Sequence, residues 1–312
     1  MPHIVTVTPS PAIDASSSVE QLAPFSKLRC GPLIRHPGGG GINVARVIRR
    51  LGGDVLAIYP TGGMTGDLLH DLIRREGIQS LEIPIAAETR ENFTVFEIST
   101  RRQFRFVVPG AELTEAEWTQ LIPAASARPA PAFIIASGSL PPGVPHDFFA
   151  QLARAGKAQG SKVIVDSSGV PLTAALDQGV YLIKPSLSEF QHLTGVTSDD
   201  QGALIAAGRD LIDQGRVEMV ALSMGPNGAL LITRDYALRA EALPIAAESV
   251  VGAGDSFLGA LIWSLTCRDD LETALRYGIA AGSAALLNPG TELSRLDDVQ
   301  RFFAQTSVRR IG

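Results

Sequence analysis

Cysteine is nearly absent: only Cys30 and Cys267 occur in 312 residues, far apart and at neither a metal-ligand nor a redox spacing, which argues against a zinc module or disulfide framework and points to a reducing compartment. A Walker A sequence is also lacking, and the glycine runs carry no dinucleotide fingerprint in the first βαβ unit, so P-loop and Rossmann dehydrogenase chemistries are disfavoured. No basic run offsets the net charge of -5, so neither nucleic acid nor an anionic membrane is an expected partner. Met1 to Val7 enters a strand-like segment without a basic n-region and apolar h-region, and no apolar run reaches membrane-spanning length. The expectation is a cytoplasmic protein that handles small metabolites.

What is present is an alternation of strand-like and helix-like segments. Ile4 to Thr8 reads as a strand. Asn43 to Leu51 reads as a helix with Val44, Val47, Ile48 and Leu51 on one side, stopped by Gly52-Gly53. Val55 to Tyr59 and the helix from about Gly66 to Arg75 repeat the unit, which resumes with Phe133 to Ala136, Phe148 to Ala155, Val163 to Val165 and Tyr181 to Ile183. This rhythm predicts an α/β fold, a doubly wound and mostly parallel sheet flanked by helices, as one domain over residues 1–312. Two segments, about 15–35 and 90–108, break the rhythm. Phe93, Val95, Phe104 and Phe106 alternate there with mostly polar neighbours, predicting inserted antiparallel strands that form a small lid or a subunit-pairing surface.

Val251-Gly252-Ala253-Gly254-Asp255-Ser256 precedes a helical repeat of Phe257, Leu258, Leu261 and Ile262. Free N–H groups at such a helix start face an anion well, and an adjacent carboxylate can accept a proton from an attacking hydroxyl; a simple helix cap explains Asp255 equally well from this stretch alone. Four consecutive glycines, Gly38 to Gly41, suggest a backbone that approaches a ligand closely, with Asn43 either donating to it or capping a helix. Asp14 follows the first strand, where open parallel sheets bind ligands, although an aspartate after prolines is also a common turn residue. Arg90 and Lys27 fall on or beside the lid and could hold a phosphate or simply be solvated. Ser139 closes a strand in a rigid polar turn. Ser186 and Glu189 have capping-box spacing, which accounts for both without a metal. Ser223-Met224-Gly225-Pro226-Asn227-Gly228 reads as a hairpin turn with a nucleotide contact as its functional alternative.

Taken together, Gly38-Gly39-Gly40-Gly41-Ile42-Asn43-Val44-Ala45-Arg46 and Val251-Gly252-Ala253-Gly254-Asp255-Ser256 resemble the two signatures of the PfkB, or ribokinase-like, carbohydrate kinases. The similarity extends over essentially the whole chain and looks strongest to the minor bacterial ATP-dependent 6-phosphofructokinase branch. It implies a doubly wound domain with a β lid, homodimerisation through that lid, and phosphorylation of fructose 6-phosphate at the 1-hydroxyl by ATP with Mg2+. By the same resemblance, Asp255 is the base, with Gly252, Ala253 and Gly254 as its anion hole. Asp14, Lys27, Gly38, Gly39, Asn43, Arg90 and Ser139 bind the sugar phosphate. Lys184, Ser186, Ser223, Gly225, Pro226, Asn227 and Gly228 lie on the nucleotide side, with Asn288 near the adenine. Glu189 organises magnesium through water, and Ser249, Val251, Ala285, Asn288, Gly290 and Glu292 match a K+ site. Two departures stand out: Ser186 replaces the asparagine of the family's Asn-x-x-Glu motif, and Glu292 stands where related chains carry arginine. The alternatives are a tagatose-6-phosphate kinase or 1-phosphofructokinase, against which Gly40 speaks because those relatives usually carry lysine there, and more distantly a non-catalytic sugar-phosphate or nucleotide-binding regulator.

Overall fold

The strands of the computed structural model, which describes residues 3–127 and 129–311, are β1 (Ile4–Val7), β2 (Ala12–Val19), β3 (Ile34–Gly38), β4 (Val55–Thr61), β5 (Gln79–Pro84), β6 (Arg90–Glu97), β7 (Arg102–Phe106), β8 (Phe133–Ser137), β9 (Lys162–Asp166), β10 (Val180–Ile183), β11 (Val217–Ser223), β12 (Ala229–Ile232), β13 (Ala237–Ala240) and β14 (Val308–Ile311). They form two sheets. The larger, ten-stranded sheet has the order β14-β13-β12-β11-β10-β9-β8-β1-β4-β5, parallel from β5 through β11 and antiparallel beyond. Its central strands are buried on both faces, so their residues alternate between two cores rather than between core and water. Val5, Val7, Ile134, Ala136, Val163 and Val165 pack toward the helix Phe148–Ala158, whereas Ile4, Phe133, Ile135 and Ile164 share a core with the helices Gly40–Arg50 and Ala253–Thr266.

Strand order reverses between β1 and β8, which pair in parallel with Ile4 opposite Phe133. Connections from these two neighbours leave in opposite directions, so a crevice opens at their carboxyl ends, where α/β sheets bind ligands. Thr8 to Pro11 and Gly138-Ser139 follow those ends directly.

The smaller sheet has the order β3-β2-β6-β7. Here the sequence expectation needs correction. β2 and β6 pair in parallel, Ala12 opposite Arg90 and Asp14 opposite Asn92, and only β2–β3 and β6–β7 are antiparallel. Alternating hydrophobicity specifies which face a residue occupies but not the direction of its neighbour. Residues 20–33 carry no regular element either, so the first inserted segment is two short strands bracketing a loop. Among the described residues, no helix is long and apolar enough to cross a membrane.

Candidate active site

The helix Gly40–Arg50 starts three residues before the expected Asn43, so two of the four glycines lie inside it. They are there for contact with the sheet. A Cβ at Gly40 would stand 2.2 Å from Ser137 Oγ, and one at Gly41 2.8 Å from the Val7 carbonyl, while Gly39 has φ of 105°, a value that favours glycine. A Cβ at Gly38 would fall 2.3 Å from Asp14 Oδ2, so this glycine makes room for that carboxylate. Asn43 therefore occupies the first helical turn and is not a cap: its Nδ2 donates to Asp255 Oδ2 at 2.9 Å.

Asp255 lies in the first turn of the helix Ala253–Thr266, behind an N-cap Gly252 whose φ is 74°. The first backbone bond of that helix is donated by Ser256 to the Gly252 carbonyl at 2.8 Å, which leaves the N–H groups of residues 253–255 without an intrahelical acceptor. Positive dipole and free donors point to the same place. Burial, reinforced by the negative charge of Asp166, raises the Asp255 pKa to about 6, against the amide of Asn43 and the ammonium of Lys184, which favour the carboxylate. Lys184 is itself buried, with Nζ 3.2 Å from Asp166 Oδ1.

A polar cleft of about 380 Å³ opens above this helix start, between the main sheet and the lid. Asp14, Gly39, Asn43, Arg90, Ser139, Glu189, Val251, Gly252 and Asp255, separated by as much as 241 positions in sequence (255 − 14), all line it. The parallel β2–β6 pairing has a direct consequence here: Asn92 Nδ2 donates to Asp14 Oδ1 at 3.0 Å, and Arg90 is aimed by the carbonyls of Val108 at 2.9 Å and Ser10 at 3.0 Å. Burial pushes the Asp14 carboxyl above the ordinary aspartate range, with Asn92 and then Arg105 opposing the shift.

Arg105, Asn92, Ser137 and Asp166 also line the cleft, and sequence reasoning gave none of them a role. For Arg105 the signal was available: in β7, strand alternation places it on the face opposite Phe104 and Phe106. Replacing Arg105 by alanine raises KM for a phosphorylated substrate by about 10- to 100-fold, the worth of one hydrogen bond to a charged group, and leaves KM for the nucleotide unchanged. Initial-rate measurements varying each substrate in turn check this.

A second, largely apolar cleft of about 620 Å³ lies on the other side of residues 252–255. Ser223, Gly225, Pro226 and Gly228 line it from the β11–β12 turn, which is a short 3-10 turn over Gly225–Asn227. Asn227 is exposed in that turn and does not line the cleft. Asn288 does not line it either: its buried amide donates to the carbonyls of Ala284 at 3.1 Å and Leu293 at 2.8 Å, tying off the end of the helix Leu271–Ala285. Ser283 and Leu286 face the cleft in its place. Ser186 is the N-cap of the helix Leu187–Thr194, and its N–H and Oγ both donate to Glu189 Oε2 at 2.8 Å, the capping box its spacing predicts. Lys27 lies exposed in the loop between β2 and β3 and lines neither cleft.

Ser249 and Gly290 meet where Ser249 Oγ donates to the Gly290 carbonyl at 3.2 Å, and Val251 N–H donates to the same hydroxyl at 3.2 Å. Glu292 turns its carboxylate to Arg295, and the Thr291 and Glu292 carbonyls accept from Arg46 and Arg50. Of the proposed cation ligands, the side chains of Asn288 and Glu292 are thus committed elsewhere, so only main-chain carbonyls and Ser249 fit such an ion. Among the described residues, no three His, Cys, Asp or Glu side chains converge as a metal cluster. Glu189 and Asp166 nevertheless present carboxylates to the polar cleft, a donor set that suits a hydrated magnesium ion beside a nucleotide phosphate.

Residues 3–298 match the model of the pfkB family carbohydrate kinases. The chain is 44% identical over 303 residues to an ATP-dependent 6-phosphofructokinase isozyme 2 of Mycobacterium tuberculosis, covering 97% of this chain and 89% of that protein. It is 40% identical over 308 residues to the ATP-dependent 6-phosphofructokinase isozyme 2 of Escherichia coli, covering 98% and 100%. The crystal structure of phosphofructokinase-2 from Escherichia coli in complex with substrates and products superposes with a TM-score of 0.93 at 39% identity, over 97% of this chain and 98% of that one. On this match over nearly its whole length and on relatives of 40% and 44% identity, the chain belongs to the pfkB family of carbohydrate kinases.

Proposed function

We propose that the protein transfers the γ-phosphoryl group of ATP to the 1-hydroxyl of fructose 6-phosphate, giving fructose 1,6-bisphosphate and ADP. The observation that carries this reading is that residues 252–255 are the wall between two clefts of opposite character. Gly252 and Asp255 face the polar cleft, and Ala253 and Gly254 face the apolar one. A nucleoside placed in the apolar cleft brings its terminal phosphate to the free N–H groups at this wall. A sugar phosphate in the polar cleft has Arg90 and Arg105 for its phosphate, with Asp14 and Ser139 for its hydroxyls. Its free primary hydroxyl then meets Asp255. Relatives at 40% and 44% identity carry the name of this activity.

In the reaction, the 1-oxygen bonds to the γ-phosphorus, the bond to the β,γ-bridging oxygen breaks and its electron pair leaves with ADP, while the hydroxyl proton passes to Asp255. The transition state is loose, so positioning and the N–H groups of residues 253–255 contribute most of the acceleration. Glu189 and Asp166 would hold magnesium, which would supply charge neutralisation at the phosphate oxygens.

The base must be ionised, and its pKa lies near 6, so kcat/KM falls tenfold per pH unit below about pH 6 and is flat above it. A sugar phosphate's own second ionisation lies at about the same pH. Asn43→Ala separates the two, because removing an amide that favours the carboxylate moves the acid limb to higher pH only if the limb belongs to Asp255. A limb unmoved in that variant assigns it to the substrate.

The outer face of the lid is apolar. Val19, Leu22, Leu28, Phe93, Val95 and Phe106 line a shallow depression there, and Phe106 is exposed in it. Such a patch needs a partner, and we take this face as the surface through which two copies dimerise. Product identification tests the function: with ATP and fructose 6-phosphate, the 31P spectrum gains a second phosphomonoester on the sugar together with ADP, whereas ADP and inorganic phosphate alone overturn it.

A further inference from the structure

The apolar cleft has a property that its place in the reaction does not require. Its base-facing wall is built by Leu243, Ile245, Val250, Phe257, Ile279 and Leu286, and the polar side chains lining it among the described residues are the hydroxyls of Ser223 and Ser283. Adenine and guanine differ at position 6, where one carries an amino donor and the other a carbonyl acceptor, and at position 2, where guanine adds an amino group. A hydroxyl is both donor and acceptor and rotates to suit either, so it cannot tell the two edges apart. Carboxylate and carboxamide side chains, which do distinguish them, are turned away: Asn288 is buried and satisfied by two carbonyls, and Asn227 and Glu248 lie outside the cleft. The volume of about 620 Å³ accommodates the larger purine.

We infer that this enzyme reads the triphosphate and the purine's flat apolar faces but not the purine's hydrogen-bonding edge, and therefore accepts GTP and ITP as phosphoryl donors in place of ATP. This rests on the kinase reading above. An apolar pocket discriminates between isosteric ligands by only about 10- to 200-fold at most, whereas a site that hydrogen-bonds one edge rejects the other by about 10⁴ or more. The contrast makes the inference measurable. Because the base stands apart from the reacting phosphate, kcat is shared by the three nucleotides and any difference falls on KM.

The test has two readouts on the full-length protein. The first is displacement of a fluorescent ATP analogue by ATP, GTP and ITP, and the second is kcat/KM for each nucleotide at saturating fructose 6-phosphate. The expected result is a spread of no more than about 200-fold in both. Ser283→Ala weakens all three nucleotides by the same factor. A preference for ATP above about 200-fold in displacement overturns the inference and assigns edge recognition to the main chain of residues 242–247. Equal displacement without turnover by any nucleotide bears out the edge-blind site but overturns the kinase reading proposed above, and donor use with it.

Discussion

Asp255→Asn lowers kcat by about 10²- to 10⁴-fold, the usual contribution of a positioned base, with little change in the KM of either substrate. The asparagine keeps the size and the contact with Asn43 but cannot take the proton, so binding survives and chemistry does not. Stability moves the other way. A carboxyl whose pKa is raised by folding carries a penalty that is fully present above the folded value of about 6 and vanishes below the unfolded value near 3.8. At pH 8 the variant is therefore more stable than the parent, by about 1 to 2 kcal/mol after allowance for the open side of the cleft, and the difference closes between about pH 6 and pH 4. Thermal unfolding at both pH values, measured beside the turnover assay, checks the pair of effects. A variant that is slow but no more stable at pH 8 contradicts the buried charge, and one of near-normal turnover contradicts the base. Function here is maintained at a cost to stability.

Arg46→Met costs about 3 to 5 kcal/mol of stability, the worth of two or more stranded buried acceptors, or roughly 5 to 8 °C in Tm. Arg46 is fully buried. Its Nε donates to Glu76 Oε1 at 2.7 Å, and one amino group donates to the carbonyls of Pro37 at 3.1 Å and Thr291 at 2.8 Å and to Asn43 Oδ1 at 3.3 Å. One guanidinium thus joins the first glycine run, the residue that orients the base and the loop beyond the helix Leu271–Ala285. Methionine fills the volume but leaves two main-chain carbonyls without donors in a dry interior. Glu76 retains Arg50 at 3.0 Å, so the cost is that of lost hydrogen bonds rather than of an abandoned charge. Arg46→Lys keeps the charge without the fork and falls between the two. If Arg46→Met melts within about 2 °C of the parent, the carbonyls are not satisfied by this side chain.

Much of this was legible in the sequence because it is local. The repeat of Val44, Val47 and Ile48 and the glycine–aspartate start before Phe257 specify helix beginnings at functional loops, and the two loops proved to be joined by the Asn43–Asp255 hydrogen bond. What was not legible depends on which strands become neighbours. The parallel β2–β6 register sets Asn92 against Asp14, and no feature of either segment alone specifies that partner. Asp166 and Lys184 sit at the ends of β9 and just after β10, where their pairing depends on the order of the sheet. Asn288 is ambiguous for a different reason: in sequence, an asparagine after a helix reads the same whether it faces a ligand or ties off the carbonyls of its own chain, as its amide does here. The capping box of Ser186 and Glu189, by contrast, needs only three residues of spacing and was read correctly.

The acceptor is the centre of the account, and a side-by-side determination of kcat/KM tests it most directly. The substrates are fructose 6-phosphate, fructose 1-phosphate, tagatose 6-phosphate and unphosphorylated fructose, each with saturating ATP and magnesium. The highest value is expected for fructose 6-phosphate, with a fall of about 10²-fold or more when the phosphate held by Arg90 and Arg105 is absent, and loss of all activity in proportion in Asp255→Asn. A higher value for fructose 1-phosphate or tagatose 6-phosphate, or equal turnover of unphosphorylated fructose, contradicts it.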